Sequence, residues 1–352
     1  MTVEKRIEAF TKLGEFLSQF QPDGIVQNHK AALNELFFEP FNMQVNRASE
    51  FNGWFTRNNV LFAFSKWANI LNDNNLKKWT SSYDLSKVKP KKIGVIMAGN
   101  IPLVGFHDFM TVLISGHEII VKQSSSDAHF LPLIAKYLEY VAPEFKGRIS
   151  FTDERMSDFD AVIATGSNNT ARYFDYYFGK YPHIIRRNRN SVAVLTGNES
   201  KEDLEKLGED IFRYFGLGCR SVSKLFVPRG YDFDPLFEAL YLYKDVLNYD
   251  KYVNNYDYNK AVYLMSQYQL LENGFLMLKE DNSYASPIAT LFYEYYDDKK
   301  ALGQKLQADK ESIQCLVGKS TEMPMVDFGE TQNPQLWDYA DDVDTMQFLQ
   351  DL

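Results

Sequence analysis

The sequence has 352 residues, of which 45% are hydrophobic and 24% charged, and its formal net charge at pH 7 is −9. A chain of this length can bury a large core, and this composition is typical of a folded globular protein. The acidic balance argues against a nucleic-acid-binding protein, because contacts with phosphates require a basic surface.

The N-terminal sequence lacks the apolar run of a signal peptide, and no apolar stretch is long enough to span a bilayer. We therefore expect a cytoplasmic protein without a membrane span. Two cysteines, Cys219 and Cys315, are too few for a disulfide framework, and the five histidines are scattered. No clustered metal-ligand motif occurs, so no metal is expected.

Residues 1–90 are predicted to form a helical N-terminal region. Apolar residues recur at helical spacing in two stretches, one around Phe10 and the other around Phe64. Residues 72–75 interrupt the second pattern, and residues 87–92 form a connector around a proline.

Residues 91–198 are predicted to form a nucleotide-binding type of domain, because short apolar strands alternate there with helices. The predicted strands are residues 93–98, 118–122, 149–151, 161–164 and 192–195, with helices at 128–141 and 169–178. Continuous apolar strands that alternate with helices are typical of a parallel sheet covered on both faces.

Residues 199–322 are predicted to form a second α/β domain. The predicted elements are helices at 203–215, 237–243, 261–271 and around 300, and strands at 224–227, 288–295 and 313–317. The tail, residues 323–352, is acidic and rich in turns at first. Its last apolar residues are expected to dock on the body of the protein or on a partner subunit.

The segment Phe215–Ser221, with the sequence FGLGCRS, places a cysteine directly after two glycines, between a predicted helix and a predicted strand. Glycines let the backbone approach a substrate closely and let amide N–H groups face a developing negative charge. The same donors favour the thiolate form of Cys219. The alternative is a buried structural cysteine, but the glycines and the break in periodicity favour a reactive loop.

Two further loops follow predicted strands. Asn100, in the sequence Gly-Asn-Ile-Pro, lies at the carboxyl edge of the predicted sheet, where α/β proteins bind ligands. It is a candidate oxyanion donor, or else a turn-forming asparagine. Gly166 and Ser167 open a helix whose first N–H groups suit a phosphate. The alternative there is N-capping by Ser167 or Asn168, and the G-x-G-x-x-G fingerprint is missing.

Taken in chain order, these motifs resemble the aldehyde dehydrogenase superfamily. They resemble more closely its acyl-CoA reductase branch, the fatty acid reductase known from bacterial luminescence. The resemblance covers residues 91–227 well and extends weakly through residues 337–341. It implies an α/β, aldehyde dehydrogenase-like fold, with a Rossmann-type parallel-sheet cofactor domain in residues 91–198 and an α/β catalytic domain in residues 199–322.

The resemblance implies two catalytic residues. Cys219 matches the nucleophile that forms the thiohemiacetal and the acyl-enzyme. Asn100 matches the amide that stabilises the oxyanion together with the backbone N–H of Cys219.

The resemblance also implies a nicotinamide cofactor site. Gly166 and Ser167 match the Gly-Ser pair at the helix that meets the cofactor pyrophosphate, although Ala171 stands where relatives often have glycine. Lys122 and Ser124 match the segment that reaches the adenosine ribose.

Two departures from the pattern affect the expected chemistry. NAD-preferring relatives have a glutamate that binds the ribose hydroxyls, and the matching residue here is Ser125. Serine does not repel a 2′-phosphate and Lys122 attracts one, so NADPH is the expected cofactor, with NADH as the alternative. Hydrolytic relatives carry a glutamate that activates water, and the sequence match places Leu195 there. Loss of this base favours acyl exchange with a thiol over release of a free acid.

The expected function is NADPH-dependent reduction of a long-chain acyl-CoA, or of a thioester on an acyl-carrier or acyl-protein donor, to the aldehyde. The alternatives are an oxidative aldehyde dehydrogenase, a phospho-acyl reductase on the same fold, and a weakly active scaffold subunit. Because members of this family usually form dimers or larger assemblies, a homo-oligomer is expected. An acyl-transferring enzyme is the candidate protein partner.

Three features stay outside this scheme. Arg186, Arg187 and Arg189 are candidates for binding anionic groups of the acyl donor, with a solvated basic turn as an equal alternative. The tyrosine-rich segment 241–258 either lines an acyl tunnel or packs helices, and helix packing is favoured. Cys315, within an apolar strand pattern, is expected in the core.

Overall fold

The computed structural model describes residues 1–319 and 323–352, with the side chain of Asn168 outside the described atoms. The chain divides into a first unit, Met1–Arg187 with Gln335–Leu352, and a second unit, Asn188–Pro334. Each unit is built on a mainly parallel sheet with helices, so the predicted α/β fold is confirmed.

The first unit begins with helices, as the apolar spacing predicts. Its N-terminal elements are α1 (Val3–Leu17), the short antiparallel strands β1 (Phe20–Gln21) and β2 (Gly24–Ile25), α2 (Asn34–Phe51), α3 (Arg57–Ile70) and α4 (Asp73–Thr80). Side chains that accept a backbone N–H start three of these helices, namely Thr2, Thr56 and Asn72. Fully buried aromatic residues such as Phe16 and Phe64 form the shared core.

A five-stranded parallel sheet follows in the first unit, with strand order β5-β4-β3-β6-β7. Its strands are β3 (Lys92–Ile96), β4 (Glu118–Lys122), β5 (Ile149–Phe151), β6 (Ala161–Thr165) and β7 (His183–Arg186). The intervening helices are α5 (Phe106–Ser115), α6 (Phe130–Val141) and α7 (Asn168–Phe178). The strand order reverses between β3 and β6, and ligands of such sheets bind outside the carboxyl ends of the strands at this point.

The structure divides the predicted tail: Gln335–Leu352 pack on the first unit, and residues 323–334 belong to the second. The terminal helix, which becomes α12 in chain order (Thr345–Gln350), buries Met346 and Leu349 completely. The His117 ring lies 2.9 Å from the backbone oxygen of Leu349 through Nε2. Trp79 donates its indole N–H to the Tyr339 hydroxyl at 2.7 Å. The C-terminal segment therefore belongs to the core of the first unit.

The second unit contains a six-stranded sheet of order β10-β11-β12-β9-β8-β13, in which β10 is antiparallel to β11 and the other pairs are parallel. Its strands are β8 (Asn190–Val194), β9 (Val222–Pro228), β10 (Leu270–Glu272), β11 (Met277–Glu280), β12 (Thr290–Tyr296) and β13 (Ile313–Val317). Its helices are α8 (Lys201–Phe212), α9 (Asp234–Leu240), α10 (Asp250–Met265) and α11 (Lys299–Ala308). Ser200 and Asp203 form a reciprocal capping box at the start of α8.

The division of the chain differs from the predicted boundaries. It lies between Arg187 and Asn188 rather than at residue 198, because β8 pairs with β9 and β13. An apolar strand pattern does not specify which sheet the strand joins. The second unit extends to Pro334, whereas the predicted boundary at residue 322 falls outside the described residues. The helix predicted at 261–271 ends earlier, because α10 ends at Met265 and residues 270–272 form β10.

Candidate active site

Cys219 lies in a tight turn that leads into β9. The backbone N–H of Ser221 donates to the carbonyl of Gly218 at 2.9 Å, which closes a turn across Cys219 and Arg220. The Cys219 side chain is exposed. The turn therefore presents the thiol at the surface of the second unit and fixes the backbone on both sides of it.

The segment before the turn has an unusual backbone. Tyr214, Phe215 and Gly216 have φ values of 55°, 57° and 75°. The left-handed region costs a non-glycine residue on the order of 1–2 kcal/mol. Burial of Tyr214 and Phe215 opposes this cost, and the Phe215 ring packs edge-on against Tyr249 at 4.9 Å between centroids. Aromatic packing thus holds the cysteine loop in a strained conformation.

A buried serine anchors the Cys219 backbone to the sheet. The Ser191 hydroxyl donates to the carbonyl of Cys219 at 3.0 Å and accepts the backbone N–H of Cys315 at 3.1 Å. Ser191 is fully buried at the amino end of β8. Arg220 adds a bond from its guanidinium to the backbone oxygen of Thr331 at 3.4 Å. Ser191 was not predicted as a functional residue, because its only signal in the sequence is a hydroxyl within an apolar strand.

Asp210 ties the helix before the cysteine loop to a later segment. Its carboxylate accepts the backbone N–H of Gly329 at 2.7 Å, the backbone N–H of Thr331 at 3.0 Å and the Thr331 hydroxyl at 2.8 Å. Burial outweighs these bonds and raises the pKa of Asp210 to about 6.

The raised pKa predicts how Asp210 affects stability. A carboxyl group whose folded pKa exceeds its unfolded value stabilises the fold when protonated, and that contribution is lost as pH rises through the folded pKa. With values of 3.8 unfolded and about 6 folded, it falls by about 2 kcal/mol between pH 4.5 and pH 7. In urea unfolding at pH values from 4.5 to 7, Asp210→Asn should abolish this part of the decrease in the free energy of unfolding. The exposed Asp245→Asn variant should follow the wild type, and an Asp210→Asn profile parallel to the wild type would contradict the assignment.

In the first unit, Asn100 lies in the loop after β3, at the carboxyl edge of the sheet. The side chain of Asn100 is exposed, whereas Leu103, three residues later, is buried with φ of 58°. The backbone N–H of Leu103 donates to Asp127 at 2.9 Å. Asn100 therefore lies where the sequence predicts it, at the carboxyl edge of the sheet. The hydrogen bond between Leu103 and Asp127 joins its loop to the loop after β4.

The Lys122–Ser125 segment lies at the same edge, at the end of β4. The Lys122 ammonium donates to the backbone oxygen of Glu154 at 2.8 Å, and Ser124 accepts the backbone N–H of Ser126 at 3.3 Å. Ser125 is exposed. Contact of these residues with the adenosine ribose of a nicotinamide cofactor stays a prediction.

The Gly166–Ser167 segment also lies at this edge, between β6 and α7. Ser167 caps α7 by accepting the backbone N–H of Thr170 at 3.2 Å. A Cβ at Gly166 would lie 3.0 Å from Phe174 Cε2 and 3.1 Å from Thr170 Cβ, so a larger residue there would require these side chains to shift slightly. Ala171 is fully buried. These contacts agree with the alternative of N-capping, and contact with a pyrophosphate stays a prediction. The alternative cap, Asn168, has a side chain outside the described atoms.

The parallel strands thus bring the predicted residues of the first unit, from Asn100 to Ser167, to one edge of one sheet, and Cys219 belongs to the second unit. Comparison with protein-family models gives a match over residues 58–243, more than half of the chain, to the family described as acyl-CoA reductase (LuxC). The chain belongs to this acyl-CoA reductase family. The predicted resemblance is therefore confirmed, and the matched range contains every predicted site residue.

Membership of the acyl-CoA reductase family makes the chain an oxidoreductase that acts on acyl or aldehyde groups and reduces acyl groups to aldehydes. Solved structures agree in fold. Aldehyde dehydrogenase 21 from Physcomitrella patens superposes with a TM-score of 0.64 at 12% identity, covering 92% of this chain and 74% of that one.

Two further solved structures show the same fold. An NADP-dependent enzyme from E. coli has a TM-score of 0.63 at 12% identity, covering 92% of this chain and 74% of that one. An NAD-dependent benzaldehyde dehydrogenase from Corynebacterium glutamicum has a TM-score of 0.62 at 13% identity, covering 92% of this chain and 77% of that one. Comparison with curated protein sequences gave no match.

The structure overturns the argument drawn from Leu195. Leu195 is fully buried directly after the carboxyl end of β8, whereas Ser191, at the amino end, binds the backbone of Cys219. Four residues of extended strand separate the two positions by about 13 Å. A side chain at position 195 is therefore too far from Cys219 to activate water there. The leucine at this position is no evidence that a water-activating base is missing.

The three arginines have separate positions. Arg186 is buried in β7, where it forms an ion pair with Asp108 and donates to the Thr345 hydroxyl at 2.8 Å. Arg186 therefore neither binds an anion of the acyl donor nor lies in a solvated basic turn, and both interpretations were wrong for this residue. Arg187 is exposed and pairs with Asp175 at 2.9 Å. Arg189 is half-buried, and its guanidinium donates to the backbone oxygen of Ile313 at 3.4 Å.

The structure also places the tyrosine-rich segment and Cys315. Tyr256 on α10 is buried, as helix packing predicts, and Tyr258 is exposed. Tyr252 is buried as well, but it also lines a depression. Cys315 is buried in β13, as expected. A small depression beside the Cys219 turn is lined mainly by apolar residues, Phe215 and Tyr252 among them.

Among the described residues, 1–319 and 323–352, no three histidine, cysteine, aspartate or glutamate side chains are grouped so that they could hold a metal ion. Within that same part of the chain, no helix is both long and apolar enough to cross a bilayer.

Proposed function

We propose that this acyl-CoA reductase reduces a long-chain acyl thioester to the aldehyde through an acyl-Cys219 intermediate, with NADPH as the reductant. The observation that carries the proposal is the position of Cys219: an exposed thiol on a turn whose backbone is held by Ser191 and by packed aromatic residues. Structural cysteines are usually buried, as Cys315 is. A rigid turn that exposes a thiol suits a nucleophile.

In the first half-reaction, the Cys219 thiolate attacks the thioester carbonyl carbon. Negative charge then develops on the carbonyl oxygen, and we assign its stabilisation to the side-chain N–H of Asn100 and the backbone N–H of Cys219. When the oxyanion collapses, the carbon–sulfur bond to the donor breaks. The donor leaves as a thiolate and takes up a proton from solvent, and the acyl group remains on Cys219.

When bound, NADPH supplies the hydride that reduces the acyl group. Asn100 again stabilises the oxyanion, now that of the thiohemiacetal on Cys219. Collapse of this oxyanion breaks the bond to the Cys219 sulfur, which departs as a thiolate, and the aldehyde is released. The enzyme returns to its starting state, with one thioester, one NADPH and one proton consumed and one thiol, one aldehyde and one NADP⁺ formed.

Lys122, Ser124 and Ser125 would hold the phosphorylated ribose of NADPH. The ammonium of Lys122 supplies positive charge at the end of β4, and its bond to the Glu154 carbonyl fixes its direction. Gly166 and Ser167, at the start of α7, would meet the pyrophosphate, since the N-terminal end of a helix attracts anions.

Cofactor preference tests this assignment. Ser125→Glu places a negative charge where the 2′-phosphate would bind, so the KM for NADPH should rise about tenfold or more, while the KM for NADH changes little. Ser126→Glu, one residue further and also exposed, is the matched control and should have a smaller effect. Equal increases for both cofactors in the Ser125→Glu variant would contradict the assignment.

Product analysis tests the proposed reaction. The protein is incubated with NADPH and acyl-CoA donors of short, medium and long chain length, and aldehyde, free acid and released thiol are quantified. We expect equal amounts of aldehyde and thiol, with the highest rate for long chains, as the resemblance to fatty acid reductases predicts. Free acid formed from aldehyde and NADP⁺ without added thiol would favour an oxidative aldehyde dehydrogenase. No turnover in either direction would favour a scaffold subunit.

Two predictions from the resemblance concern partners. A homo-oligomer predicts a molecular mass in light scattering at least twice the 40.8 kDa of the chain. An acyl-transferring partner enzyme predicts that an acyl-protein donor supports reduction at lower concentrations than free acyl-CoA.

A further inference from the structure

Two side chains fasten the loop that carries Asn100. Asn52, at the end of α2, directs its side-chain N–H group to the backbone oxygen of Ser126 at 3.2 Å and to that of Gly99 at 3.5 Å. Asp127 accepts the backbone N–H of Leu103 at 2.9 Å. We call Asn52 and Asp127 the loop clamp.

The loop clamp binds both ends of the segment Gly99–Leu103. Asn52 binds the carbonyl of Gly99, directly before Asn100. Asp127 accepts the N–H of Leu103, three residues after Asn100. Pro102, within the segment, has a fixed φ angle. The backbone on either side of Asn100 is therefore restrained at three points.

The junction between the two loops leaves little room for movement. A Cβ on Gly99 would lie 2.6 Å from the Ser124 Cβ, so the loops after β3 and β4 are in direct contact there. The amide group of Asn52 is itself oriented, because its oxygen accepts the backbone N–H of Trp54 at 3.0 Å. This bond turns the Asn52 nitrogen toward the two carbonyl oxygens.

The loop clamp also holds an unfavourable backbone. Leu103 has φ of 58°, a left-handed backbone conformation that is unfavourable for leucine. Burial raises the pKa of Asp127 to about 7, so placing a carboxylate here is itself costly. Two costly features at one contact indicate that the contact serves the position of the loop rather than stability alone.

We propose that Asn52 and Asp127 are positioning residues for Asn100, which fix its side-chain N–H group where the oxyanion forms. The inference rests on the proposed function, in which Asn100 stabilises that oxyanion. Preorganised donors stabilise a transition state without reorganising during the reaction, and a displacement of about 1 Å can cost about 10²-fold in rate. Loosening either end of the segment therefore lowers the rate of acylation while acyl-CoA binding persists.

The single variants are measured by the rate of acyl-enzyme formation in a single turnover. Asp127→Ala and Asn52→Ala should each lower this rate about tenfold or more, with the KM for acyl-CoA within about threefold of wild type. Asp127→Asn should restore most of the rate, because an amide oxygen still accepts the Leu103 N–H. Asn46→Ala, at an exposed asparagine on α2, is the matched control and should acylate normally. Equal losses in Asp127→Asn and Asp127→Ala would overturn the role of this hydrogen bond.

A double-mutant cycle tests whether the loop clamp acts through Asn100. In an Asn100→Ala background, Asp127→Ala should cause little further loss of acylation. If it lowers the rate as much as in the wild-type background, the positioning role is wrong, while the role of Asn100 stands. If Asn100→Ala by itself acylates at the wild-type rate, the proposed role of Asn100 fails and the inference fails with it. If Asp127→Ala does not fold, as judged by thermal melting, the same cycle is run with Asn52→Ala.

Discussion

Replacing Cys219 with alanine is expected to lower acyl-CoA reduction by about 10⁴-fold or more, because the variant lacks the sulfur that would carry the acyl group. The Cys219 side chain is exposed, and its loop is held through its backbone by Ser191. The fold should therefore be unaffected, with the free energy of unfolding changed by less than about 0.5 kcal/mol. NADPH oxidation and aldehyde release, measured together, give the size of the loss.

Two controls separate nucleophile loss from damage to the loop. Cys219→Ser keeps the shape of the side chain but replaces the thiolate with a weakly nucleophilic hydroxyl, so it should be nearly as inactive as the alanine variant. Cys315→Ala removes the buried cysteine of β13 and should retain reduction. Substantial activity in Cys219→Ala would show that the acyl group is not transferred through this residue.

Replacing Asn100 with alanine is expected to slow acylation by about 10²–10³-fold, the usual loss when one oxyanion donor is removed. Asn100→Asp should lose at least as much, since its carboxylate repels the oxyanion. The binding constant for NADPH should stay within about threefold of wild type. The measurements are single-turnover acylation and cofactor titration of the same preparations.

Asn198→Ala, at another exposed loop asparagine, is the control for Asn100→Ala and should acylate normally. Weaker NADPH binding together with normal acylation in Asn100→Ala would contradict the assignment of Asn100 to the oxyanion. That result would assign Asn100 to the cofactor and leave the oxyanion with other donors.

Features that depend on local sequence could be predicted. Two glycines before Cys219 predict a turn, and the structure has a turn there. The apolar run ending at Val317 predicts a strand, and β13 spans the predicted residues. Asn100 and Lys122 follow predicted strands, and parallel pairing brings their loops to one edge of the sheet. Period and turn chemistry are properties of neighbouring residues, so they can be detected in one sequence.

Features that depend on distant partners could not be predicted. The strand β8 looks like its neighbours in sequence, and only its pairing with β9 and β13 places it in the second unit. Arg186 stands in a basic run, yet its partner Asp108 lies 78 positions earlier in the chain. The roles of Ser191 and Asp127 arise from single hydrogen bonds across loops. No periodic pattern records such contacts.

The same limit explains the failed inference from Leu195. The short motifs assigned the missing base to position 195, but they did not show at which end of the strand that position lies relative to Cys219. Because β8 and β9 are parallel, Leu195 and the Cys219 turn lie at opposite ends of the same pair of strands. The proposal of thiol exchange therefore rests on membership of the acyl-CoA reductase family and on Cys219.

Intact-protein mass spectrometry after mixing with a long-chain acyl-CoA, before and after NADPH is added, tests the acyl-Cys219 intermediate most directly. We expect wild type to gain the mass of one acyl group, located on Cys219 by peptide mapping, and to lose it on addition of NADPH as aldehyde is released. Cys219→Ala should gain no mass. Turnover to aldehyde without an acyl adduct on Cys219, or an adduct of equal yield in Cys219→Ala, would contradict the mechanism.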